Sequence, residues 1–191
     1  MIIFLLTGGM IGVLFILFFR SAIAESISGN NVLVKRLQKL QGFQKSYLAG
    51  FMLFLVNAIL FMGCLLILYG LTLVFIPYVH FIVMIIGIVL SIWFWMEFNI
   101  AWIGSKKGRI ILASIGSSFY FGLTILFVYM YVGIEPYYPG EDTFMRALGL
   151  ALASIVTAVA CITCFVITGF SNRNINQGDK YSATTEARNS Q

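Results

Sequence analysis

Charge is what this chain has least of: through residues 47–104 the only formal charge at pH 7 is Glu97. Overall 10% of residues are charged and 60% are hydrophobic, against about 25% charged in an ordinary soluble domain. So few polar groups cannot clothe a water-facing surface, and a soluble globular fold is excluded. There is one histidine, His80, with no Cys, Asp or Glu at ligand spacing to it, so a usual zinc site cannot be assembled. The three cysteines, Cys64, Cys161 and Cys164, lie in apolar stretches rather than polar loops, which argues against a secreted disulfide framework. Walker loop, dinucleotide fingerprint, nucleophile elbow, metalloprotease motif and paired catalytic carboxylates are also missing. The expectation is a protein with no catalytic residues, no cofactor, no metal and no nucleic-acid partner.

What is present is long apolar sequence. Five segments stand out, at residues 2–19, 47–73, 78–103, 110–134 and 147–170. At about 1.5 Å of rise per residue, roughly 20 apolar residues cross a bilayer, with about 17 to 25 the usual range. Backbone groups in hydrocarbon must be satisfied within the segment, and no period-two alternation marks a barrel strand. The sequence therefore predicts an all-α, polytopic integral membrane helix bundle with five transmembrane helices, forming a single domain over residues 1–170. The second and third crossings are separated by Phe75, Ile76, Pro77 and Tyr78, where proline removes a backbone donor and makes an uncharged hairpin.

Lys and Arg near span ends give the orientation. The first connection carries Arg20, Lys35, Arg36, Lys39 and Lys45, and the third carries Lys106, Lys107 and Arg109. Both are expected to face the cytoplasm. The second connection is uncharged, and the fourth sets Glu135, Glu141 and Asp142 against Arg146, so these two face outward. Five spans then put the N-terminus outside and the C-terminus in the cytoplasm, with a polar, disordered tail over 171–191. Cleavage of residues 1–24 as a signal peptide, after Ala22, Ile23 and Ala24, is the rival reading; it would put both basic clusters outside, against the positive-inside rule. The expected location is a membrane, with the bacterial plasma membrane the favoured one.

Within the first cytoplasmic connection, residues 31–46 make a basic amphipathic segment. Leu33, Leu37 and Leu40 share one side of a helical wheel, flanked by Val34 and Phe43, while Lys35 and Lys39 lie opposite and Arg36 sits at the boundary. Lys35, Arg36, Lys39 and Lys45 are candidate contacts for lipid headgroups or an acidic partner. The plainer alternative is a juxtamembrane helix that only anchors orientation.

Glu97 is the acidic residue inside an apolar segment, and Asn57, in the adjacent antiparallel span, is its candidate partner in an intramembrane polar site. Ionisable groups in a membrane are expensive and usually functional. The competing view is an interfacial carboxylate amid an aromatic belt of Trp93, Phe94, Trp95, Phe98 and Trp102. Cys161 and Cys164 have the C-x-x-C spacing of thiol redox centres, yet no helix N-terminus adjoins them to lower a thiol pKa, so packing is the favoured role. Small residues recur every four positions at Gly8 and Gly12, at Ser114, Ser118 and Gly122, and at Gly149, Ala153 and Thr157. Such rows let helices approach closely, either within the chain or against another subunit. The outer loop offers a candidate partner surface in Glu135, Tyr137, Tyr138, Glu141 and Asp142, although loops of this composition are often only solvated turns.

These features point first to a non-catalytic multi-pass membrane protein acting through protein–protein interaction, as an assembly, accessory or protective, immunity-type subunit. Its partners would be the lipid bilayer and other membrane proteins or its own copies. A small transporter, channel or transport subunit using Glu97 with Asn57 is the alternative, and a thiol–disulfide oxidoreductase using Cys161 and Cys164 ranks third.

Overall fold

A computed structural model describes Leu37, Phe43 and residues 45–74, 79–136, 138 and 142–170. All regular secondary structure among these residues is helical, and no strand occurs. Four long helices follow one another: α1 (Ser46–Val74), α2 (Val79–Ala101), α3 (Lys106–Val132) and α4 (Phe144–Gly169). Each is long and apolar enough to cross a membrane, which makes this a multi-pass integral membrane protein. The expected span 2–19, most of the basic segment 31–46 and the tail 171–191 lie outside the described residues.

Hydropathy and helix ends do not coincide. α3 starts at Lys106 rather than at residue 110, because Ser105 caps it: the Gly108 N–H donates to Ser105 Oγ at 3.1 Å. α4 starts at Phe144 rather than at 147, where the Phe144 N–H donates to an Asp142 carboxylate oxygen at 2.8 Å. A carboxylate there also complements the positive end of the helix dipole. Conversely α2 stops at Ala101, leaving Trp102 and Ile103 outside the helix although both are apolar.

The helices form a ring in which α1 touches α2 and α3, and α4 touches α3 and α2. α2 and α3 are consecutive yet diagonal, and the first and last helices, α1 and α4, form the other diagonal. Neighbour directions follow from the contacts. Along α1 and α3, Ser46 meets Gly108, Gly50 meets Leu112 and Ile115, and Leu53 meets Gly116, so the two run parallel. α3 and α4 run antiparallel, with Ala113 beside Gly169, Ser117 bonded to Cys161 and Thr124 to Thr157. α1 and α2 are antiparallel too, through Asn57 with Trp95 and Cys64 with Gly87.

Packing is concentrated at one end. The buried hydrophobic residues are Phe43, Ala49 and Leu53 before and on α1, residues of the last third of α2, the first half of α3, and Cys164 and Ile167 on α4. That end also carries Lys45, Lys106, Lys107 and Arg109. Toward the other end consecutive apolar residues are exposed together, such as Leu65, Leu66 and Ile67 on α1 and Met84, Ile85 and Ile86 on α2. In water such exposure is untenable, whereas lipid tails solvate it.

Glycine sets the tight end. A Cβ on Gly116 would lie 2.3 Å from Leu53 Cδ2, 2.6 Å from its Cγ and 3.0 Å from its Cβ. Leu53 is fully buried and cannot swing away. Replacing Gly116 with Ala therefore forces α1 and α3 apart and should cost about 1–3 kcal/mol, the usual range for overpacking. Gly122→Ala is the control, since a Cβ there meets nothing within 4 Å. Thermal unfolding in detergent should show a lowered midpoint for the first variant and none for the second; equal midpoints would disprove the close approach.

Candidate functional site

Four helices bring polar groups to one point inside the packed end. Asn57 of α1 is 0% exposed. Its amide nitrogen donates to the Gly116 carbonyl of α3 at 3.0 Å and to Cys164 Sγ of α4 at 3.8 Å. Its amide oxygen accepts from Trp95 Nε1 of α2 at 2.8 Å. An asparagine amide has two donor hydrogens and an oxygen with two lone pairs, so three of its four capacities are met here. Trp95 stands edge-on to Tyr120 of α3 at 5.8 Å between ring centroids, so the diagonal pair α2 and α3 also meet through side chains.

Glu97 lies two residues after Trp95 on α2 and is 1% exposed. It is thus buried in the protein rather than reaching toward an interface. Asn57 and Glu97 share α1 and α2 but not a hydrogen bond: the Asn57 amide goes to Trp95, Gly116 and Cys164. The register explains it. Trp95 faces the bundle axis, whereas Glu97, about 200° further round the helix, lines a cavity of about 300 Å³ on the α1–α2 side. Met52, Leu55 and Val56 of α1 and Phe94 and Phe98 of α2 complete its wall, with Leu37 closing one side.

The aromatic residues around Glu97 depart from the expected belt. Trp95, Phe98 and Trp102 are 4%, 2% and 3% exposed, and Phe43 packs on both Phe98 and Trp102, at 5.6 and 6.2 Å between centroids. They form the core of the basic end instead of facing lipid headgroups, because Phe43 and the facing helices pack over them. Trp93 and Phe94 are half-buried.

The small-residue rows divide. Thr157 is buried and accepts from Thr124 Oγ1 of α3 at 3.0 Å, and Cys161 Sγ donates to the Ser117 carbonyl at 3.6 Å, so the α4 row is turned toward α3. Gly149, at the outer end of that row, is exposed and Ala153 is half-buried. Ser114, Ser118 and Gly122 instead lie exposed on the outside of α3. The row that packs against α1 is Gly108 and Gly116, with Gly50 opposite. Sequence reading missed it, although two glycines eight apart on one helix share a face and were the available signal. Gly8 and Gly12 lie outside the described residues, as do Lys35, Arg36, Lys39, Tyr137 and Glu141. In the loop before α4, Glu135 accepts through its carbonyl from Arg146, Tyr138 is exposed, and Asp142 caps α4. Lys45 is exposed at the start of α1.

The two thiols of the C-x-x-C are free. Cys164 is fully buried beneath Asn57, while Cys161 is half-buried against α3. No cluster of three or more His, Cys, Asp or Glu side chains able to hold a metal occurs among the described residues. Chemically, the arrangement offers a closed hydrogen-bonded centre, a buried carboxylate beside an apolar cavity, and an outward row of small residues. No family model matches the chain, and neither a curated protein nor a solved structure is significantly similar to it.

Double-mutant cycles in detergent separate the contacts. Asn57→Ala with Trp95→Phe should give a coupling energy of about 0.5–1.5 kcal/mol, in the range for interhelical hydrogen bonds in membrane proteins. Asn57→Ala with Glu97→Gln should be additive. Additivity for the first pair, or coupling for the second, would contradict the hydrogen-bonding described.

Proposed function

We propose that this protein is a non-catalytic multi-pass membrane protein that works by binding other proteins within the membrane, as an assembly, accessory or protective subunit. The observation that carries the reading is the exposed row Ser114, Ser118 and Gly122 on α3, where a Cβ at Gly122 would meet nothing within 4 Å. In lipid, helices associate by close packing and hydrogen bonding rather than by hydrophobic burial, and a backbone bared by small residues is the surface that permits it. The Ser118 hydroxyl already donates to the Ile115 carbonyl of its own helix at 2.6 Å. That leaves the row smooth and suited to a partner's side chains. The hydrogen-bonded centre around Asn57 supports the same reading, since it fixes the scaffold on which the row is displayed.

The orientation that goes with this reading has the basic end in the cytoplasm and the N-terminus outside, after five crossings of a bacterial plasma membrane. Excess Lys and Arg at one end of the helices supports it.

A transport function through Glu97 is the second reading, supported by that carboxylate's burial at 1% exposure. Asn57 would then hold the scaffold rather than bind the ion.

Extraction in mild detergent, with the mass and composition of the particle measured, tests the first reading. The expected result is a discrete assembly with unrelated subunits from the wild type, and a smaller particle from Ser118→Ile combined with Gly122→Ile at unchanged unfolding temperature. A monomer in both cases would sink it. Glu97→Gln in reconstituted vesicles addresses the second reading: lost ion flux with an unchanged particle would favour transport.

A further inference from the structure

The cavity between α1 and α2 has a geometry that the partner-binding reading does not use. Its volume of about 300 Å³ is at the small end for ligand sites, and apart from Glu97 its walls are aliphatic and aromatic side chains. It opens sideways where Leu55 is 42% exposed, into the region that lipid tails fill. Met52, Leu55 and Val56 lie in the second and third turns of α1, about 9–15 Å from its start by the standard rise. That is the depth of acyl chains in one leaflet of a roughly 30 Å hydrocarbon core.

The charge at the mouth selects among lipids. Lys45 precedes Met52 by seven residues, two turns, and the Ala49 N–H donates to the Lys45 carbonyl at 3.0 Å, so Lys45 is in helical register with the groove. It stands on the face of α1 that bears Met52, about 10 Å nearer the helix end. The first turn of α3 is alongside, since a Cβ on Gly108 would touch Ser46 Oγ at 2.6 Å; this brings Lys106 and Lys107 to the same end. All three lysines are exposed, and none forms an ion pair among the described residues. An apolar groove in register with the exposed Lys45, with two further lysines at the same end, matches a molecule with a hydrocarbon chain and an anionic head.

We propose that this groove holds one acyl chain of an anionic phospholipid whose phosphate-bearing headgroup rests against Lys45. Glu97 forms part of the wall along the chain, away from the headgroup. The second acyl chain stays in the bilayer, so the lipid is bound at the protein's edge and not enclosed.

The test uses the full chain, delipidated in mild detergent and titrated with dioleoylphosphatidylglycerol or dioleoylphosphatidylcholine while thermal unfolding is followed. The anionic lipid should raise the midpoint saturably and the zwitterionic one should do so far less. Val56→Trp, which fills the groove, should reduce the phosphatidylglycerol shift by at least half. If that variant does not fold, Leu55→Trp at the exposed mouth takes its place. Lys45→Gln should weaken apparent phosphatidylglycerol affinity about five-fold while the plateau shift is kept. Equal effects of the two lipids on the wild type overturn the proposal, as does a full shift in the groove-filled variant. A Lys45→Gln protein with unchanged affinity overturns the headgroup position.

Discussion

A single side-chain amide, that of Asn57, bonds α1 to each of the other three helices. Interhelical hydrogen bonds in membranes are individually modest, about 0.6 kcal/mol on average. Their effect here is geometric, because a shift of any one helix along its axis breaks a bond that the others share. The amide reaches the Gly116 carbonyl only because Leu53, one turn earlier on α1, can press into the space where a Cβ on Gly116 would stand. Glycine thus supplies both the acceptor and the closeness. In hydrocarbon, where burial of apolar surface does not drive helices together, that combination of steric fit and polar pairing is what a bundle has to depend on.

Much of this was readable from the amino acids, and the reasons for the rest are specific. Four of the expected spans are present because 20-residue apolar runs leave few other options for a backbone without water. Their ends shifted because Ser105 and Asp142 set helix starts by hydrogen bonding, which hydropathy does not register. Asn57 and Glu97 both stood out as polar residues in apolar surroundings. Which way each points depends on helix rotation, and a sequence with apolar residues on every face carries little information about rotation. The same ambiguity explains the small-residue rows. α3 has three of them, Gly108 with Gly116, Ala113 with Ser117, and Ser114 with Ser118 and Gly122, and spacing alone does not say which meets α1, which meets α4 and which faces outward.

The two ends of the bundle differ in how they are held. At the basic end, side chains from four helices and Phe43 fill the interior as one buried cluster. At the other end the helices offer apolar residues on several faces at once, and Gly63, Gly70 and Gly149 have open space around them. Surfaces and cavities for lipid or protein therefore flank a fixed polar centre and do not interrupt it. Glu97 belongs to the packed end, on a helix pinned by Trp95, and lines the cavity on its α1–α2 side.

The diagonal placement of α2 and α3 has a consequence for biogenesis. As the chain leaves the ribosome, Asn57 enters the bilayer long before its hydrogen-bond partners: Trp95 is 38 residues later, Gly116 59 and Cys164 107. At about 5–20 residues per second, the amide waits roughly 5–20 s for its last partner. The α1–α2 hairpin must therefore be held, by the insertion machinery or by neighbouring lipid, with a polar group only partly satisfied. Synthesis rate and the residence time of early helices at the insertion site then become determinants of correct assembly, although neither leaves a trace in the finished structure.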